Sequence, residues 1–412
     1  MHTAAITQAS CSANGHDPYA PLAPIDEPVY YGRVPLDLNQ FATKLLRCRM
    51  QLQLSVAEVA EATGLTISRL EGFEAASTQP NGDDVLVLAD LFACDYRFFI
   101  SNERLAAFEQ TDSLYRMHGG EFSKEDRRNI LEFIFLCECE DQLQRELGQR
   151  REPFEFTPRG SFYKGQGEDA AQALRAHFNY APNAVPNDVY ADFRRLGFHV
   201  FRRRLANSNI SGLTIRHPLA GTCILVNYDE DIYRQRFTAC HEAGHGIIDR
   251  DQDVVVSFAT ESKRDHKVEL RANTFASRYI LPPPVIEGMP VADWSGQEAV
   301  RWAARLKVST WALAIALKEA GRIDDEAANL IRRSRVPADQ KVDPEFSGLQ
   351  GESLERKQEL LKRGLSTFYV ELCFDGLSRG IISAGRAAEM MLINDFELGE
   401  IASLFGRRVQ AE

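Results

Sequence analysis

The most informative segment of this sequence is IYRQRFTACHEAGHGIIDRD, residues 232–251. It contains an HExxH pattern made by His241, Glu242 and His245. Residues four apart lie on one face of a helix, so the two imidazoles point the same way and can share one metal ion. Zn²⁺ favours nitrogen ligands of this kind, and a catalytic zinc site keeps one coordination position open for water. Glu242 follows the first histidine, near enough for its carboxylate to accept a proton from that water.

A third protein ligand would complete a catalytic zinc site. Asp251 stands where a metzincin-type pattern would place it, but that pattern needs a glycine at position 248, where this sequence has isoleucine. Glu269, in the segment KVELRANTFASRYILPPP, is favoured because it lies near the start of a second predicted helix that the prolines end. His266, immediately before this segment, is a weaker competitor.

Strand patterns precede the HExxH segment. Residues 198–203, 210–217 and 221–228 are rich in β-branched and aromatic residues, and turn compositions separate them. Helical patterns at 169–177 and 187–195 come before the strands. Three short strands followed by helices predict an α+β unit with a small mixed or antiparallel sheet.

Composition divides the rest of the chain. Small polar residues and prolines predict a flexible N-terminal tail, and Ser123 with Asp126 three residues later predicts the N-cap of a long helix. The expected organisation is a flexible tail (1–35), an all-α N-terminal domain (36–102), a helical spacer (103–165), the strand-containing domain (166–335), a linker (336–351) and a C-terminal helical domain (352–412).

Bulk composition predicts a globular cytoplasmic protein. The 412 residues are 44% hydrophobic and 26% charged, with no apolar stretch near the roughly 20 residues that a membrane span needs. The eight cysteines are scattered, as expected for reduced thiols. A net charge of −11 argues against a basic coat for nucleic acid over the whole surface. The densest positive cluster, Arg202–Arg204, is interpreted as a solvated strand end.

Longer patterns resemble a known family. The segments ISG, GTCILVN, RQRFTACHEAGH and ELRANTFASRYILPP, within about 169–325, resemble the ImmA/IrrE metallopeptidase family. The resemblance implies a thermolysin-like zincin core with Glu242 as general base. It also implies a protein substrate, namely a helix-turn-helix repressor. The zinc ligands that it implies are His241, His245 and Glu269.

The N-terminal domain carries a second resemblance. Residues 38–100, with FATKLLRCRMQLQLSVAEVAEATGLTISRLEGFE, resemble the XRE helix-turn-helix family. The resemblance implies that VAEVAEAT is the first helix of the motif, Gly64 the turn, and Thr66–Phe73 the helix that enters the major groove. Candidates for contact with a double-stranded DNA operator are Thr66, Ser68 and Arg69. Basic and acidic residues are equally numerous over 44–74, so attraction to phosphate would be modest, and protein contact by this unit is the alternative.

Two functions therefore compete. The first is a DNA-binding zinc endopeptidase that cleaves a repressor or another regulatory protein, and the intact Glu242 favours it. The second is a transcriptional regulator whose metal domain senses or scaffolds without proteolysis, and the fused helix-turn-helix favours it. The strand ending at Asn227 is expected to hold the substrate as an added strand. Tyr279 and His217 are candidates for stabilising the oxyanion. The sequence leaves open whether the chain forms a homodimer.

Overall fold

The structure is a computed structural model that describes residues 36–94, 96–101, 111, 114–115, 120–252, 254–258, 266–290 and 293–409. The flexible tail expected at 1–35 lies outside these residues. Helices and one small sheet make up the described chain, so the predicted α+β class is confirmed. Within the described ranges, no helix has the length and apolar character needed to cross a membrane.

The N-terminal unit consists of short helices: α1 (Leu38–Gln51), α2 (Val56–Thr63), α3 (Ile67–Glu74), α4 (Gly82–Leu91) and α5 (Tyr96–Ile100). Ser55 and Glu58 form a capping box at the start of α2, which satisfies backbone donors at that helix end. Gly64 ends α2 with a φ of 74°, a left-handed conformation that suits glycine because it has no Cβ. The helix, turn and helix therefore lie where the sequence predicts them.

The sheet has four strands: β1 (His199–Arg203), β2 (Ile210–His217), β3 (Gly221–Asn227) and β4 (Val254–Phe258). Their order is β1-β3-β2-β4; β1 runs parallel to β3, and the other two pairs are antiparallel. The predicted mixed sheet is therefore present, with β4 added to it. Both edges of β3 are paired, so the prediction that this strand holds a substrate as an added strand is wrong.

The remaining helices pack on the two faces of the sheet. They are α6 (Lys124–Glu146), α7 (Tyr163–His177), α8 (Val189–Arg195), α9 (Ile232–Ile248), α10 (His266–Ile280), α11 (Pro283–Glu287), α12 (Gly296–Leu306), α13 (Thr310–Glu319), α14 (Asp325–Arg333), α15 (Gly351–Lys362), α16 (Thr367–Ser378), α17 (Ala384–Met390) and α18 (Asp395–Leu404). Val200 and Ile224 face a core shared with α7–α14. Their chain neighbours, Phe201 and Leu225, face a second core built with α6 and α15–α18. Successive strand residues point to opposite faces, which is why one sheet serves two cores.

Helix α6 connects the N-terminal unit to the sheet. Ser123 and Asp126 form the predicted capping box at its start. Its Leu131 belongs to the core of the N-terminal unit, whereas Phe133 packs in the core behind the sheet. Arg127 adds a hydrogen bond, donated by Nη1 to the backbone carbonyl of residue 51 at 2.9 Å. One helix thus contributes to both cores.

The arginines at the end of β1 are buried, so their interpretation as a solvated strand end is wrong for two of the three. Arg202 pairs with Asp343 at 2.5 Å, and Arg203 pairs with Glu132 of α6. Glu132 lies on α6, and Asp343 lies in the segment between α14 and α15. Buried charges persist only when they are paired in this way. Arg204 alone has an exposed side chain.

Candidate metal centre

Helix α9 places the HExxH residues in a buried position between the sheet and α10. His241, Glu242 and His245 are 6%, 0% and 1% exposed. Two glycines allow this close packing. A Cβ on Gly212 of β2 would lie 3.2 Å from the Glu242 Cγ, and one on Gly244 would lie 3.0 Å from the Phe275 ring. Both distances are tighter than ordinary contacts, so the small residues let α9 approach its neighbours.

The two histidines and Glu269 converge on one point. The Nε2 atoms of His241 and His245 are 3.1 Å apart. The Glu269 carboxylate lies 3.3 Å from the His241 Nε2 through one oxygen and 3.7 Å from the His245 Nε2 through the other. All three donor atoms lie within 4.8 Å of one another. Helix α10 supplies the carboxylate from its first turn.

The other ring nitrogens are held by hydrogen bonds. The His241 Nδ1 lies 3.0 Å from the Asn273 Oδ1, and the His245 Nδ1 lies 2.7 Å from the Asp249 Oδ2. Because both oxygens are acceptors, we assign the proton of each neutral ring to Nδ1, which leaves the Nε2 lone pairs directed at the common point. Burial acts to lower the pKa of His241, but Glu269 and Glu242 outweigh it, and the pKa is raised.

Glu242 is fully buried beside the three donors. Its Oε2 accepts a hydrogen bond from the Thr214 hydroxyl at 2.8 Å. Its Oε1 is buried and accepts no hydrogen bond of ordinary geometry from the described residues, although the Ser257 hydroxyl is near enough to act on the pKa of the carboxyl. Burial raises the pKa of this carboxyl, although His241 and neighbouring hydroxyls oppose the shift. A buried carboxylate oxygen without a hydrogen bond costs folding free energy. Its presence next to metal-type donors makes this cluster a candidate functional site.

An open groove of about 1000 Å³ runs past this centre. His241 and Glu269 line it, together with Val256 and Ser257 of β4. Residues of β2, α7, α9, α10, α13 and α14 also line it. The donor set is therefore accessible from a cleft large enough for an extended chain.

The competing ligands lie elsewhere. Asp251 and His266 are exposed, and neither belongs to the converging donor group. The proposed oxyanion residues are engaged away from the groove. The Tyr279 hydroxyl donates to Asp192 at 2.7 Å, and the His217 Nδ1 accepts from the backbone N–H of Ala220 at 3.0 Å.

All four strands and both site helices lie inside one segment that resembles a known family. Residues 193–318 match the IrrE N-terminal-like domain. This is a peptidase-family model, so the predicted relationship to ImmA/IrrE metallopeptidases is confirmed for this IrrE-like domain. The match is shorter than the 169–325 expected, and it does not include the N-terminal unit. No curated protein matches the chain.

Sequence reasoning missed the residues that hold the donors in place. Asp249 follows His245 by four residues, and Asn273 follows Glu269 by four, so same-face helical spacing is a signal that could have found both. Thr214 comes from a strand and has no such signal. Arg271, which pairs with Asp249, was also missed, because it lies two residues from Glu269 and helical spacing does not place the two on one face.

The structure places the three predicted DNA-contacting residues at the start of α3 in the N-terminal unit. Thr66 is the N-cap, and its hydroxyl accepts from the backbone N–H of Arg69 at 3.3 Å. Ser68 is exposed. The Arg69 guanidinium pairs with the buried Asp84 at 2.5 Å and lies over the Phe73 ring. Its positive charge is therefore largely neutralised within the N-terminal unit.

Proposed function

We propose that the IrrE-like domain is a zinc-dependent endopeptidase. One observation carries the proposal: three metal-type donors converge beside a buried carboxylate oxygen that accepts no hydrogen bond of ordinary geometry from the described residues. A scaffold or sensor needs only the donors. A buried carboxylate oxygen of this kind costs folding free energy, and a structural metal does not require it, which favours proteolysis over a purely structural metal.

The donor set fits zinc. Two imidazole nitrogens and one carboxylate are the ligands of a catalytic zinc site that keeps its fourth position open. Nitrogens about 2.0 Å from one tetrahedral ion would lie about 3.3 Å apart, close to the 3.1 Å between the two Nε2 atoms. The oxygen acceptors on both Nδ1 atoms are the outer-shell partners that such histidines have. We propose a thermolysin-like arrangement for this domain on the same grounds.

The chain's own residues then have definite roles. When bound, zinc would supply Lewis acidity at the scissile carbonyl and acidify the attacking water. Glu242 is placed to accept the proton of that water through Oε1 and to pass it to the leaving amine. Thr214 holds the other carboxylate oxygen, so it fixes the direction in which Oε1 points.

We further propose a regulatory protein as the substrate, with a helix-turn-helix repressor as the leading candidate. The ImmA/IrrE resemblance motivates this choice, and the open groove supports a polypeptide.

We assign the activity to the cytoplasm, since buried thiols such as Cys137, Cys139 and Cys240 form no disulfide.

Metal dependence tests this function. The purified full chain is incubated with a host-cell lysate whose protein N-termini have been chemically blocked, and mass spectrometry identifies new N-termini. We expect new N-termini with the zinc-loaded chain, their loss after chelation, and their return when one equivalent of zinc is restored. Cleavage that survives chelation, or no zinc-dependent cleavage at all, would reject the proposal.

A second activity, contact with double-stranded DNA, is proposed for the N-terminal unit. The supporting observation is the order α2, left-handed Gly64 and α3, with the side chains of Thr66 and Ser68 exposed at the N-terminal end of α3. Backbone N–H groups at a helix N-terminus attract phosphate. Because Arg69 and Arg49 are paired inside the unit, we expect weak, salt-sensitive binding that needs dimerisation for affinity.

One substitution on α3 tests this proposal, and a second tests the internal ion pair of Arg69. Ser68→Glu places a negative charge at the helix start and is expected to weaken binding to a fluorescent random-sequence 30-base-pair DNA by about five-fold in low salt. Ser378→Glu, at an exposed position near the end of α16, serves as the matched control. Arg69→Ala is expected to lower the melting temperature by circular dichroism, because it leaves Asp84 without its guanidinium. DNA affinity that Ser68→Glu leaves unchanged would instead favour protein contact by this unit.

A further inference from the structure

One wall of the groove is an apolar surface on α13. Trp311 and Ile315 both line the groove and are 56% and 36% exposed. They are four residues apart and so lie on one face of the helix. Leu313, Ala314 and Leu317 point the other way into the core. We call Trp311 and Ile315 the apolar wall.

The groove that contains the apolar wall also contains donors of the metal centre. Ile280, Leu281 and Val308 also line it and are almost fully buried, so they form an apolar base beside the wall. His241 and Glu269 line the same groove. A single exposed hydrophobic residue needs no explanation, but two on one helix face within a catalytic-type cleft indicate a binding surface.

Charges around the apolar wall are largely paired. Glu319, one turn beyond Ile315, lies 2.9 Å from Lys164 and 2.9 Å from Arg278. Arg332 lies over the Trp311 ring, with its guanidinium carbon 4.8 Å from the ring centroid. Among the described residues no carboxylate forms an ion pair with Arg332, so the wall combines apolar area with a positive charge over the tryptophan ring. A bulky uncharged side chain therefore complements it better than a basic one.

We propose that the apolar wall is the specificity surface of the peptidase, where it takes a large aliphatic or aromatic side chain of the polypeptide substrate. This inference rests on the proposed proteolytic function. The occupant is the substrate rather than another protein surface because the wall and the metal donors line one continuous groove. A tryptophan that loses its water on binding contributes more than most interface residues.

Binding without turnover tests the inference separately from proteolysis. The protein is the zinc-loaded full chain carrying Glu242→Gln. The probes are fluorescein-labelled decapeptide libraries with position five fixed as Phe, Leu, Ser or Asp and with only Gly, Ala and Ser elsewhere. We expect the Phe and Leu libraries to bind about ten-fold or more tightly than the Ser and Asp libraries by fluorescence anisotropy.

Substitution of the apolar wall should remove that preference. Adding Trp311→Ala is expected to weaken binding of the Phe library about ten-fold and to leave the Ser library within two-fold. Trp311→Phe should restore most of the affinity. Phe396→Ala, which removes another exposed aromatic side chain outside the groove, is the matched control and should change neither. Unchanged zinc content and melting temperature would show that the Trp311→Ala chain folds.

The outcomes separate the two proposals. Equal binding of all four libraries, no binding of any library, or a Trp311→Ala chain that keeps the preference for Phe would overturn the apolar wall as specificity surface. Selective binding that depends on Trp311, together with no zinc-dependent new N-termini in the blocked lysate, would uphold the surface and reject the peptidase. In a chain that keeps Glu242 and cleaves its substrate, Trp311→Ala should raise KM more than it lowers kcat.

Discussion

Replacing His241 by alanine is expected to abolish stoichiometric zinc binding. The substitution removes one of two nitrogens that lie 3.1 Å apart, and it leaves Glu269 facing His245 alone. Two remaining donors cannot complete a site that needs three protein ligands. We expect the zinc affinity to fall by more than about 100-fold, because even an outer-shell substitution costs 10- to 100-fold.

Elemental analysis after dialysis measures this effect, and Asn273→Ala provides a graded comparison. Asn273 is exposed and only orients His241 through Nδ1, so its loss should weaken zinc binding about 10- to 100-fold without removing a ligand. Asn273→Asp keeps an acceptor and should bind nearly as the wild type does. A His241→Ala chain with unchanged zinc content would place the metal elsewhere.

Glu242→Gln is expected to keep full zinc content while proteolysis falls at least about 100-fold. The amide has nearly the same shape as the carboxylate, but it cannot accept the proton of the attacking water. General-base catalysis contributes roughly 10²- to 10⁴-fold to such reactions. The measurement is the yield of zinc-dependent new N-termini in the blocked lysate, with the wild type alongside. Undiminished cleavage by this variant would remove Glu242 from the mechanism.

The same variant gives a stability readout in the metal-free protein. The folded state raises the pKa of Glu242 above its ordinary 4.5, so folding opposes ionisation of this group. That cost is present at neutral pH and disappears when the pH falls below 4.5, where the carboxyl is protonated in both states. Glu242→Gln should therefore raise the melting temperature relative to the wild type at pH 7, and the gain should shrink as the pH falls. A gain that does not change with pH would contradict a buried, ionisable base.

Local patterns in the sequence predict much of the fold. Ser123 with Asp126 and the glycine at 64 act through contacts within a few residues, and both form the expected helix ends. The strand at 254–258 escaped prediction although its VVVSF run is rich in β-branched residues. Val254 through Ser257 are buried on both faces of the sheet, so the run lacks the alternation that marks a half-exposed strand.

Long-range pairing explains the remaining differences. A cluster of three arginines resembles a solvated strand end in sequence, yet the partners of Arg202 and Arg203 lie far along the chain. Likewise, the sequence makes Arg69 a candidate for DNA contact, but in the fold its guanidinium pairs with Asp84. The metal donors were easier to predict, because helical spacing fixes the histidine pair and only Glu269 comes from a separate helix.

The sheet behind the metal centre has a practical consequence for the expression of the IrrE-like domain by itself. The segment that matches the family model stops at residue 318, whereas the helices that shield Phe201, Leu213 and Leu225 come from both before and after it. A fragment trimmed to the matched boundaries would leave these side chains in water and would tend to aggregate. The unit that folds is therefore larger than the unit that is recognisable by homology, and α6 and α15–α18 belong in it.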